Sequence, residues 1–206
     1  MYARSTTIQA NLSAIDAGIA HMRDEVMPAL ENMPGCIGMS LLVDRRSGRC
    51  IATSSWESED MMRESADRVR SLRDRAVQVF GAGEARAEQW EVVAMHRDHR
   101  TRAGACAQLT WAKAEGGFGA AVDTYKSMVV PQVEQMPGFC STSLLVDWAG
   151  GRGVACETFD SYEAIERNRE RLATVRREGT RRAGIDVLDV GDFEIALAHL
   201  RVPELV

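Results

Sequence analysis

The chain has 206 residues, room for two domains of about 100 residues each. Its 45% hydrophobic and 27% charged residues are those of an ordinary globular protein, and a net charge of −5 speaks against nucleic acid or an anionic membrane as partner. No apolar run reaches the roughly 18 residues of a membrane span, and the N-terminus lacks the order of a secretory signal. The five cysteines, Cys36, Cys50, Cys106, Cys140 and Cys156, are odd in number and include no C-x-x-C pair. That pattern predicts reduced thiols in a cytoplasmic protein, with neither a disulfide framework nor a metal site.

In chain order, β-branched and apolar residues predict a first strand over Ala3–Ala10. Ile15, Ile19, Met22, Val26 and Leu30 keep helical spacing within a helix from Ser13 to Asn32. Pro28 falls inside that pattern and should kink it, and Met33-Pro34-Gly35 stops it. A second strand, Cys36–Asp44, meets a third, Arg49–Trp56, across a turn that needs Gly48 for positive φ. Ser58 is placed to cap a second helix running to Phe80, and Trp90–Arg97 reads as the last strand.

After the charged linker Asp98–Gly104 the same order returns: strand Ala105–Ala112, helix Gly119–Gln135, strands Phe139–Asp147 and Arg152–Phe159, a helix from Ser161 to Arg182, and strand Phe193–Arg201. The sequence itself returns too. Met33-Pro34-Gly35 recurs 103 residues later as Met136-Pro137-Gly138, and Ser40-Leu41-Leu42-Val43-Asp44 recurs as Ser143-Leu144-Leu145-Val146-Asp147. Arg73, Glu31 and His96 recur at that spacing as Arg176, Glu134 and His199, with no insertion required. The period is too long for a solenoid, so each copy reads as a whole domain, residues 1–97 and 104–206.

Two βαββαβ copies predict an α+β fold of tandem ferredoxin-like repeats. The first and third strands of each are expected to run parallel across the helices. Helices cover one sheet face. The other face is apolar as well, since Trp90, Val92 and Ala94 alternate with Val93 and Met95. The second copy is the expected cover, giving a pseudo-dimeric α+β barrel within one chain that could pair again as a homodimer.

A helix ending in Met-Pro-Gly, the following Leu-Leu-Val-Asp strand and a strand ending Ser-Trp-Glu-Ser resemble the antibiotic biosynthesis monooxygenase family of dimeric α+β barrels. The resemblance covers both halves and is clearest over Met33–Glu59 and Met136–Ser161. It implies cofactor-independent oxygenation of a small aromatic or polyketide-like compound. It also admits a non-catalytic barrel that binds a small ligand. Some members degrade haem with a helix histidine as axial ligand, a placement that His21, His96 and His199 do not match.

Candidate catalytic residues are Trp56 at the end of the third strand, Asn11 after the first, and His96 on the last. Together they would stabilise a substrate carbanion. Candidate substrate-binding residues are Trp111, Glu157, Phe159 and His199. Glu157 stands on the strand face of Ala155 and Phe159, where a carboxylate either gains a raised pKa and acts as a base or faces water at a mouth. Asn11 doubles as a helix cap, and Trp56 as a core aromatic bridging sheet and helix. Arg49 and Arg152 could meet an acidic ligand, and Asp44 and Asp147 read as turn formers. Glutamates interleave the arginines between Arg167 and Arg182, the mark of a solvated helix face. No phosphate-binding glycine loop, Gly-x-Ser-x-Gly, zinc spacing or dinucleotide fingerprint is present, so no cofactor is expected. Gly116-Gly117-Phe118-Gly119 is a loop before a helix.

Overall fold

The strands are β1 (Tyr2–Gln9), β2 (Cys36–Val43), β3 (Arg49–Trp56), β4 (Ala85–Arg97), β5 (Cys106–Lys113), β6 (Phe139–Asp147), β7 (Arg152–Phe159) and β8 (Asp186–Leu200) in the computed structural model, which describes residues 1–200. Their hydrogen-bonded order is β1-β3-β2-β8-β5-β7-β6-β4, closed as a barrel. Residue 201, the expected end of the last strand, and the rest of the second half to residue 206 lie outside the described residues.

Helical segments alternate with these strands. Between β1 and β2 lie a 3-10 turn (Leu12–Ala14), α1 (Ile15–His21), a π-helical turn (Met22–Val26) and α2 (Met27–Glu31). The corresponding stretch before β6 has α5 (Gly119–Thr124), a π turn (Tyr125–Val129) and α6 (Val130–Val133). After β3 come α3 (Glu59–Glu64) and α4 (Ala66–Val79), and after β7 a single helix, α7 (Tyr162–Ala183).

The expected proline kink is thus a π turn in both places. Pro28 and Pro131 sit in the first turn of α2 and α6. A ring there removes one N–H and crowds the preceding carbonyls, and a widened turn just upstream accommodates both. Ser58 and Ser161 cap as expected, each accepting a backbone N–H three residues on, at 3.2 and 3.3 Å. Asp44 and Asp147 close the hairpin turns by accepting from the N–H of Arg46 and Gly150, at 2.9 and 2.8 Å.

Two expectations need correction. β1 runs antiparallel, not parallel, to β3, with Arg4 opposite Ser54. The helical crossover returns β2 parallel to β1, and the hairpin then sends β3 back into the gap between them. The repeat also needs one adjustment. Arg4 faces Ser54 and Gln108 faces Glu157, so β5 matches β1 one residue beyond the 103-residue spacing, which resumes at the π turns. The loop after β5 is one residue shorter than the loop after β1.

Two compact units result. One comprises Met1–Trp90 with residues 195–200, the other Glu91–Glu194. Each long final strand is therefore divided: β4 pairs with β6 from Glu91 onward, and β8 pairs with β5 up to Glu194. The first unit buries Ile15, Met22, Leu41, Trp56, Met62 and Phe80 in one cluster. The second buries Val133, Phe139, Phe159, Ile165 and Leu172 in one cluster and Phe118, Tyr125, Leu144 and Val146 in another. Full burial of a Leu, Ile or Phe side chain contributes about 1.5–3 kcal/mol, so these clusters carry the stability of each unit.

Candidate functional site

In the second unit, the sheet face of β5, β6 and β7 stands off from α5, α7 and the π turn and leaves a cavity. Its volume is about 70 Å³, space for several waters. Its walls are mostly apolar: Ala112, Phe118, Val133, Leu144, Leu172 and Val175. Besides three threonines, Gln108 on β5, Tyr125 in the π turn, Glu157 on β7 and Arg176 on α7 break that lining. Half-buried Thr180, Ala183 and Ile185 form its rim.

Glu157 is 6% exposed. Its Oε1 accepts a hydrogen bond from Tyr125 Oη at 3.3 Å. Tyr125 Oη also reaches the Ser143 carbonyl at 3.0 Å and makes a short contact with Thr142 Oγ1. Register explains the meeting, because Glu157 lies opposite both Gln108 and Thr142 on the neighbouring strands. Arg176 Nη1 donates to Gln108 Oε1 at 2.9 Å, and Gln108 Nε2 donates to Asp192 Oδ1 at 2.8 Å. Arg169 Nη2 closes the chain on Asp192 Oδ2 at 2.8 Å.

Burial pushes the Glu157 carboxyl from 4.5 up to about 7, against the opposing pull of Tyr125 and of the Arg176 charge. Burial, reinforced by the Glu157 charge, holds the Tyr125 phenol well above its ordinary range. Desolvation lowers Arg176, while Glu157 and Asp192 favour its charged form. A carboxyl group that titrates near neutrality in an apolar cavity is equipped to take up a proton and return it.

The first unit has a cavity of about 60 Å³ at the corresponding place. There Ser54 lies opposite Arg4 and Met39, so serine stands for Glu157, arginine for Gln108 and methionine for Thr142. Met22 opens the π turn where Tyr125 opens the other. Arg73 keeps the position of Arg176, and among the described residues no carboxylate lines this cavity.

Of the candidate catalytic and substrate-binding residues, Glu157 alone lines either cavity among the described residues. Trp56 is fully buried in the first core, its Nε1 donating to Ser54 Oγ at 3.0 Å. Phe159 is fully buried and meets Phe139 edge to face, with centroids 6.1 Å apart. Asn11 is exposed and caps the 3-10 turn through Ser13 N at 3.1 Å. Trp111 packs edge to face on Phe193 at 6.1 Å. His96 Nε2 lies 3.1 Å from Glu134, and His199 Nε2 3.2 Å from Glu31, the repeated histidine of each half meeting the repeated glutamate of the other. Sequence reasoning missed Tyr125, Gln108, Thr142 and Arg176. The available signal was a tyrosine in a buried helical stripe, whose hydroxyl must find a partner.

Known proteins resemble the chain at two levels. The uncharacterised proteins Rv2557 and Rv2558 of Mycobacterium tuberculosis (strain H37Rv) are 55% and 53% identical to it over its whole length, which spans 92% and 88% of theirs. The chain belongs to the family of these mycobacterial proteins. No family model matches it. Among solved structures, an anthrone oxidase-like protein superposes with a TM-score of 0.66 at 14% identity, covering 97% of this chain and 92% of its own. A Listeria monocytogenes ferredoxin-fold protein related to antibiotic biosynthesis monooxygenases gives 0.53 at 7% identity, covering 95% of each chain. The heme-degrading enzyme LmHde of the same species gives 0.52 at 8%, covering 95% of this chain and 99% of its own. The fold is the α+β barrel that these structures share, and at these identities the likeness reaches no further.

Proposed function

We propose that the protein is a cofactor-independent monooxygenase of a small aromatic or polyketide-like compound, bound in the cavity of the second unit. The observation that carries this reading is Glu157, a buried carboxyl in an apolar cavity, hydrogen-bonded to Tyr125. A substrate of the anthrone type has a weakly acidic CH2 between two aromatic rings, conjugated through them with a carbonyl on the far side of the central ring. Ionised Glu157 takes one of its protons. The electron pair left on carbon reduces dioxygen, a C–O bond forms, and the peroxide takes the proton back from Glu157. Loss of water then leaves a ketone, so that CH2 and O2 become C=O and H2O. Tyr125 holds the carboxylate in place, and Arg176 favours its ionised form.

Oxygen uptake with anthrone or a quinol tests the reading. The wild type should turn over with kcat/KM rising through about pH 7 as Glu157 ionises. Glu157→Gln should lose about 10²–10⁴-fold while still binding the compound. Binding without oxygen uptake in the wild type would favour the second reading, a ligand-binding barrel without chemistry. The first-unit cavity supports that alternative, since it has a similar volume and, among the described residues, no carboxylate.

A further inference from the structure

We propose that His99, Cys140 and Asp160 form a binding site for one divalent transition-metal ion, best matched by Zn2+, outside the cavity. Their ligand atoms all lie within 4.8 Å of one another. His99 Nε2 is 3.0 Å from Asp160 Oδ1, and Cys140 Sγ is 3.4 Å from that same oxygen. Tetrahedral ligands at zinc bond lengths stand about 3.3–3.8 Å apart, so small side-chain rotations bring the three onto one ion. A nitrogen, a sulfur and an oxygen donor suit zinc and cobalt rather than calcium or magnesium. Water takes the fourth position, because the side chains of His99 and Asp160 are 36% and 46% exposed.

Two further features argue for a built site. Asp98 Oδ2 lies 2.7 Å from His99 Nδ1. That partner fixes the ring and leaves Nε2 for a metal, the outer-shell arrangement of histidine-ligated zinc. Backbone hydrogen bonds also fix where the donors stand. Cys140 is the extra residue of a bulge in β6, between the pairs Phe139–Phe159 and Ser141–Thr158. Its carbonyl accepts from the N–H groups of Asp98 and His99 at 2.9 and 3.3 Å. Asp160 N donates to the Gly138 carbonyl at 2.8 Å. The first unit repeats this scaffold, with a bulge between Cys36 and Gly38 and Glu57 N on the Gly35 carbonyl, but Ile37 stands where Cys140 does. With no cation bound, burial and Asp160 push the Cys140 thiol up to about 12. A coordinated divalent ion reverses that preference outright.

Co2+ titration of the chelator-treated full-length protein tests the proposal. The expected result is one equivalent bound, with a thiolate-to-cobalt charge-transfer band and the visible bands of a tetrahedral ion, both removed by added Zn2+. Cys140→Ser should abolish the charge-transfer band, His99→Gln should weaken binding, and Asp98→Asn should weaken it by about 10–100-fold. Circular dichroism of each variant verifies that it is folded. No cobalt band, or a band that survives in folded Cys140→Ser, would overturn the proposal.

Discussion

Replacing Glu157 by glutamine should make the protein more stable at neutral pH, although it removes a hydrogen-bonded group from the core. The carboxyl is raised from 4.5 in the unfolded chain to about 7 in the folded one. Below pH 4.5 both states hold the proton and folding bears no electrostatic cost. Between 4.5 and 7 the unfolded chain has released its proton and the folded chain has not. Stability therefore falls as pH rises, by about 1.4 kcal/mol for each unit crossed. Above 7 both states are ionised and the penalty levels off at about 3 kcal/mol. Glutamine matches the protonated carboxyl in shape and still accepts from Tyr125 Oη, so the variant lacks this penalty at every pH. The assay is urea or thermal unfolding of wild type and Glu157→Gln from pH 4.5 to 8.5. Titrations of other groups cancel in the difference. The advantage of the variant should grow from near zero to about 3 kcal/mol, roughly 6–12 °C in Tm for a chain of this size. A difference that does not change with pH would show that Glu157 titrates normally. One that grows in the opposite direction would show that the pairing with Arg176 outweighs burial. Either would refute the reasoning.

Gly18→Ala should destabilise by about 1–3 kcal/mol, because a methyl group there would stand 2.2 Å from Cε1 of the buried Phe80 ring; thermal unfolding should show a loss where a helical Gly→Ala usually gains about 1 kcal/mol. Gly119→Ala, with open space around its Cβ, is the control and should show no such loss. Trp56→Phe removes the bond to Ser54 Oγ and should cost about 1–3 kcal/mol by denaturant unfolding, while oxygen uptake stays at the wild-type level. Arg176→Met removes a charge that favours ionised Glu157, so the pH midpoint of kcat/KM should move above 7; Arg73→Met, at the corresponding place in the first unit, should leave it unchanged.

Patterns with a strong physical cause were legible in the sequence. Met-Pro-Gly stops, serine caps, aspartate turns and the Leu-Leu-Val-Asp strands all fall where chain chemistry puts them, because each acts over a few residues. The split ends of β4 and β8 were not legible, since apolarity on both faces of Trp90–Met95 says that a strand needs cover but not from which neighbour. The one-residue offset of β5 was hidden by Thr7 and Thr110, which align in sequence but not in register: Thr6 and Thr110 hold the corresponding positions, opposite Ala52 and Ala155. The site was half visible. A carboxylate on an apolar strand drew attention to Glu157, whereas Tyr125 shares helical spacing with Val122, Val129 and Val133, the pattern of an ordinary core stripe. Only tertiary structure shows that its hydroxyl ends at Glu157. The histidines repeated in the sequence and so attracted interest, but each is tied to a glutamate away from either cavity.

The contrast between the two cavities explains why the polar residues of the second arrive as a set. Their backbones share the same strand register and the same π turn, yet Met22, Met39 and Ser54 in one become Tyr125, Thr142 and Glu157 in the other. Introduced alone into the first-unit cavity, a tyrosine at position 22 would bury a hydroxyl with no carboxylate to receive its proton, and a glutamate at position 54 would face Arg4 but no tyrosine hydroxyl. Each such group costs about 1–3 kcal/mol when unpaired, and more if charged. Together, Tyr125 donates to Glu157 and meets Thr142, so each addition supplies what the others lack. The arginine, present in both units as Arg73 and Arg176, supplied a positive charge near the sheet in either case. A core selected for packing alone has no use for the remaining cost of Glu157, a carboxyl still held near pH 7. Under the proposed function, proton transfer to a bound molecule does.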